Sequence, residues 1–97
     1  MFIYTVKLKI KDNLKAEFAE YLYKEHLPEV VATGCFTSSS LEIDTANNAE
    51  MIARYKCNSQ EIFDGYIKNY ANLMREKVIE KYPDAIIHAE RNFCKVI

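Results

Sequence analysis

His26 is the side chain of this sequence best suited to chemistry near neutral pH. An imidazole changes charge close to pH 6.5, so it can accept or give a proton where most groups cannot. It stands in the run Lys24 to Phe36, KEHLPEVVATGCF, directly after Glu25, a carboxylate that could tune it. The plainer reading is a polar ring that satisfies backbone groups freed where a helix bends at Pro28. Cys35 is the second candidate, because a thiolate needs a partner that lowers its pKa and only His26 is close in sequence. Free cysteine is more often buried and inert. Seven tyrosines are many for 97 residues. Tyr4, Tyr66 and Tyr70 could line a cavity and present hydroxyls to a small aromatic or carbonyl compound, or simply edge the core. Arg91 could bind an acidic ligand if a bulge turns it inward; Arg54 and Arg91 could equally pair with Glu42 and Glu90. The candidate set is therefore His26 as catalytic base, with Tyr4, Cys35, Tyr66 and Arg91 as ligand contacts. The three cysteines and two histidines have no metal-type spacing, so neither a metal nor a tightly held cofactor is expected.

The elements that must position these residues follow from periodicity. Phe2 to Lys11 alternates, with Phe2, Tyr4, Val6, Leu8 and Ile10 on one face of a strand. Asp12-Asn13 supplies a turn and a helix N-cap. Leu14, Phe18, Tyr21, Leu22 and Glu25 keep helical spacing up to a kink expected at His26-Leu27, where Pro28 starts a second short helix to Thr33. Gly34 suits the left-handed cap that ends it. Phe36 to Asp44 and Glu50 to Cys57 form a hairpin around Asn47-Asn48, in a register that sets Ile43 opposite Met51 and Leu41 opposite Ala53. A helix starts at Asn58-Ser59-Gln60-Glu61, carries the stripe Ile62, Phe63, Tyr66, Ile67, Tyr70, Leu73, Met74 and Val78, and stops at Pro83. Ala85 to Val96 is the last strand, with a bulge expected near Arg91 and Cys57 and Cys94 as packing residues.

Length and composition exclude several classes. At 97 residues a single domain is expected, able to bury about 60–65% of its unfolded surface. Two glycines and two prolines argue for long regular elements. A net charge of -1 leaves no footprint for nucleic acid or an anionic membrane. MFIYTVKLKI is interrupted by lysines and reads as neither a signal peptide nor a span, and the odd cysteine count suits free thiols in the cytoplasm.

The order βαββαβ gives a ferredoxin-like α+β sandwich, a four-stranded antiparallel sheet with its helices on one face. RNA binding shares that order but needs a Gly-aromatic third strand, and acylphosphatase-like chemistry needs a Gly-rich anion cradle after the first. Met51 to Asn58 and Asp12-Asn13-Leu14 offer neither. The open sheet face carries Ile3, Thr5, Lys7, Ile52 and Arg54, plus either Ile86, His88 and Glu90 or Ile87, Ala89 and Arg91. So mixed a face suits a second copy, and a homodimer through it is expected.

Ile3-Tyr4, Glu25-His26-Leu27-Pro28 and Thr33-Gly34-Cys35-Phe36 resemble the matching stretches of an uncharacterised bacterial domain-of-unknown-function family. More loosely, a His on the first helix followed by Gly before a strand is similar to the dimeric α+β-barrel superfamily, which includes cofactor-free monooxygenases and lactone isomerases. The resemblance implies a fold and a dimer, and no activity. Two functions remain open. One is a small-molecule-binding protein, in the extreme a cofactor-independent enzyme, which needs a cavity near His26, Tyr4 and Tyr66. The other is a non-enzymatic assembly or regulatory dimer, which predicts a filled interior.

Overall fold

Alternation places Tyr4, Leu8 and Ile10 in the core along β1 (Phe2–Ile10), the strand on which the sheet is built. In the computed structural model, which describes residues 1–47 and 50–97, β1 leads into a 3-10 turn (Asp12–Leu14) and α1 (Lys15–Tyr21). A π-helical turn (Leu22–His26) and α2 (Leu27–Ala32) follow without a break. Then come β2 (Ser38–Ile43), β3 (Glu50–Cys57), α3 (Gln60–Asn69), α4 (Ala71–Lys81) and β4 (Ile86–Lys95). The strands lie in the order β2-β3-β1-β4, all antiparallel neighbours, which is the ferredoxin-like arrangement. Ile43 pairs with Met51 and Leu41 with Ala53, the register read from the apolar match. Of the hairpin loop, Asn48 and Ala49 lie outside the described residues; Asp44 turns the chain by accepting from the N–H groups of Ala46 and Asn47.

The expected kink before Pro28 is replaced by the π turn. Leu27 keeps helical angles, φ -59° and ψ -45°, and its N–H donates to the carbonyl five residues back, Leu22. The wider turn separates the Pro28 ring from the carbonyl one turn upstream, the clash that normally breaks a helix. Asp12 and Asn13 belong to the 3-10 turn and give α1 no side-chain cap. Gly34 does take the left-handed conformation, φ +84°. The turn it makes delivers Phe36 into the core beneath Tyr4, Tyr55 and Tyr66, at ring-centroid distances of 5.9, 5.2 and 4.8 Å.

The expected single long helix is two. The chain bends at Tyr70, φ -129° and ψ -30°, between α3 and α4. The stripe is re-phased there: Tyr66, Ala71, Met74 and Val78 are buried, while Ile62, Ile67, Tyr70 and Leu73 face outward. At the start of α3, Ser59 Oγ accepts from the Ile62 N–H at 3.1 Å, as an N-cap should.

The bulge falls at Ile87, not at Arg91: Lys9 pairs with His88 and Ile10 with Ile86, leaving Ile87 extra. The two adjacent isoleucines cause the change of phase. With Ile87 looped out, Ile86, Ala89, Arg91 and Phe93 all take the helix side, and Arg91 stands opposite Val6. Of the residues anticipated on the open face, His88 and Glu90 go there and Ile86, Ala89 and Arg91 do not. Ion pairs Lys7–Glu50 and Arg54–Glu42, both at 3.1 Å, lie on that face among Ile3, Thr5 and Ile52. Cys94 is exposed rather than packed, and Cys57 is buried.

Candidate functional site

Between the sheet and the two helical runs lies a cavity of about 400 Å³. Its floor is Tyr4, Val6 and Leu8 of β1 with Ala53, Ala89 and their neighbours. One wall is the π turn and α2, through Leu22, His26 and Leu27; the other is α4, through Met74, Arg75 and Val78. That volume falls in the range of small-molecule sites, roughly 300–1,000 Å³, and the lining is mainly apolar with a few polar groups, as such sites are. An interior filled throughout, which an assembly-only role predicts, is not what the fold contains.

The cavity brings together Tyr4, His26, Tyr66 and Arg91. Cys35 is not among its lining residues; it is half-buried in the Gly34 turn, its N–H donating to Thr33 Oγ1 at 3.3 Å. The turn matters to the site through Phe36, which buttresses Tyr4, Tyr55 and Tyr66 from below. Arg75, Tyr55 and Phe36 were not singled out from the sequence. Arg75 was legible in principle, since Ala71, Met74, Arg75, Val78 and Tyr82 follow one helical face. Phasing the stripe through Tyr70 hid it.

His26 ends the π turn, half-buried, with its ring stacked on Tyr21 at 6.3 Å. Its Nδ1 is buried and has no hydrogen-bond partner. Burial pulls its pKa below the usual histidine value, with Glu29 opposing and Lys77 adding to the shift. The neutral ring is therefore the resident form at pH 7, a base with one unsatisfied buried nitrogen. Glu25 does not tune it: that carboxylate pairs with Lys81 at 3.2 Å, and Glu29 pairs with Lys77 at 3.0 Å. These two exposed pairs join the first helical run to α4 beside the cavity, and each contributes at most about 1 kcal/mol.

The sign of the histidine shift makes a prediction. Above pH 6.5 the ring is neutral in both folded and unfolded chains. Below it the unfolded chain takes the proton first, so the contribution to stability is full above the unfolded pKa and is lost as pH falls toward the folded one. In denaturant titrations from pH 7.5 down to pH 5, the native chain should lose stability faster than His26→Gln. Parallel curves for the two would show that the ring is not held neutral by burial.

The tyrosines form the other polar part. Burial raises the pKa of Tyr4, Tyr55 and Tyr66, that of Tyr66 to about 12. The positive charges of Arg91 and Arg75 together oppose the rise at Tyr4 and Tyr66. Among the described residues no cluster of His, Cys, Asp and Glu could hold a metal, and no helix is long and apolar enough to cross a membrane.

The fold matches solved structures over its full length. An uncharacterized NIPSNAP domain protein from Burkholderia xenovorans superposes with a TM-score of 0.79, covering 100% of this chain and 95% of that one at 11% identity. An antibiotic biosynthesis monooxygenase matches at 0.75, covering 100% and 99% at 9% identity. SnoaB, a cofactor-independent oxygenase from Streptomyces nogalater, matches at 0.74, covering 98% and 91% at 10% identity. At such identities the likeness is one of fold alone. No curated protein matches the sequence. The profile of the domain of unknown function DUF4286 matches residues 1–96, nearly the whole chain, and the protein belongs to that family.

Proposed function

We propose that this protein is a small-molecule-binding dimeric α+β barrel in the cytoplasm, with His26 as the proton acceptor of a cofactor-independent reaction. The observation that carries the reading is the cavity of about 400 Å³ with His26 on its wall, an imidazole that burial keeps neutral. A ligand hydroxyl or acidic C–H brought against that ring could transfer its proton to the imidazole, and the stacked Tyr21 ring fixes the acceptor's orientation. The oxygenase and monooxygenase among the fold neighbours support a substrate of modest size. Dimerisation through the open sheet face is supported by its mixed surface, with Ile3, Thr5 and Ile52 set among charges already neutralised in pairs.

Native mass spectrometry of the gently purified protein tests both halves. The expected spectrum is a dimer carrying extra small-molecule mass, and the extra mass should vanish in Ala89→Leu, which narrows the cavity. A monomer would sink the assembly, and extra mass that survives Ala89→Leu undiminished would place the ligand elsewhere.

A further inference from the structure

The chain has three arginines, and they divide by surroundings. Arg54 is paired with Glu42 on the open face. Arg75 and Arg91 both line the cavity, from α4 and β4, and neither pairs with a carboxylate among the described residues. Among the described residues, no aspartate or glutamate lines the cavity. Tyr4 and Tyr66 line the same cavity, and the charges of both guanidiniums act on them. His26 lines the same cavity from the π turn, with Glu29 and Lys77 as the charges that act on its ring. The cavity therefore combines two guanidiniums, the donor hydroxyls of Tyr4 and Tyr66, the apolar surface of Val6, Leu8 and Ala89, and a neutral imidazole.

Two like charges on the rim of one apolar cavity repel each other, and an anion between them relieves that repulsion. Guanidinium forks match the two oxygens of a carboxylate, and tyrosine hydroxyls can donate to the same oxygens. Both arginines are exposed overall, so they stand at the mouth, where a charged group keeps part of its hydration while an apolar body enters. Resting on the proposed small-molecule function, we infer that the ligand is an amphipathic organic carboxylate, its head held by Arg75 and Arg91 with Tyr4 and Tyr66 and its apolar body extending over Val6, Leu8 and Ala89.

A matched pair of probes tests this: 2-naphthoate and its neutral counterpart 2-naphthalenemethanol, titrated into the purified protein by calorimetry at low salt. Naphthoate should bind at least about tenfold more tightly than the alcohol, the scale of one charge-assisted hydrogen bond. Arg75→Gln and Arg91→Gln should each erase most of that difference, weakening naphthoate far more than the alcohol. On the native protein, added sodium chloride should weaken naphthoate and not the alcohol, a readout that needs no variant to fold. Equal affinities for the two probes, or arginine variants that weaken both alike, would overturn the carboxylate inference while the cavity reading stands. Binding of neither probe would overturn both.

Discussion

Phe18→Ala should cost about 3–5 kcal/mol of stability, a large part of the roughly 5–15 kcal/mol that holds a domain together. Phe18 is completely buried. It packs edge-on against Tyr82 at 5.3 Å and against Tyr21 at 6.0 Å, and Tyr82 in turn meets Tyr21 at 5.1 Å. This ring triangle fastens the end of α1 to the end of α4, and Tyr82 also lines the cavity. Truncation removes the transfer free energy of a phenyl ring and leaves a hole that the ring partners can only partly close. Urea titration should show a lower midpoint with an unchanged slope, the sign that stability and not the extent of unfolding has changed. Phe18→Leu should cost less, because the hole is smaller. A loss below about 1.5 kcal/mol for the alanine variant would mean that the two helical runs are held together elsewhere.

The strands were legible because their apolar residues repeat with period two and because one face is buried. A slip of β2 against β3 by one residue would have lost the apolar match of Leu41 with Ala53 and Ile43 with Met51, so the register followed from the pattern of apolar residues. The helices were harder, since each departs from a single period. Phe18 and Leu22 are four apart, but Leu22 and Leu27, both buried, are five apart. That extra residue marks the π turn, a signal masked by Pro28, which by itself reads as the start of a new helix. At Tyr70 the stripe changes phase with no glycine or proline to announce the bend, so a continuous helix was the natural reading.

The site was legible to the extent that it rests on chemistry local in sequence. His26, Tyr4, Tyr66 and Arg91 were named from residue type and strand or helix face, and the fold gathers them around one cavity. Cys35 was named for its chemistry, but the residue of that junction that packs against the cavity tyrosines is Phe36, through a left-handed glycine turn whose direction no periodicity reports. Arg75 depends on how α4 swings after Tyr70, and Arg91 on where the β4 bulge falls. Both are long-range outcomes: a bulge at Arg91 itself would have left Ala89 and Ile86 on different faces, whereas the bulge at Ile87 keeps Ile86, Ala89 and Arg91 together over the helices.

Deleting Tyr23 should cost about 3 kcal/mol, and Pro28→Ala should restore most of it. Tyr23 is exposed and belongs to the five-residue π turn. Its removal brings Leu22 and Leu27 to helical spacing, so Phe18, Leu22, Leu27 and Val30 can keep their buried positions in an uninterrupted α-helix. The whole cost then falls on Pro28, which would sit in a regular helix interior with its ring against the preceding turn. Urea titration of the deletion, of Pro28→Ala and of the combination separates the terms: the deletion alone should be the weakest of the three, and the combination close to Pro28→Ala. A deletion that is neutral, or one that Pro28→Ala does not rescue, would mean that the π turn does not exist to accommodate proline. The stable combination then isolates the second role of that turn. π turns store a widened, less favourable geometry that persists where it places a functional group. If the combination keeps its stability but no longer retains a cavity ligand, the widened turn is there to hold His26 against the cavity, and Pro28 is the residue that keeps the helix from relaxing out of it.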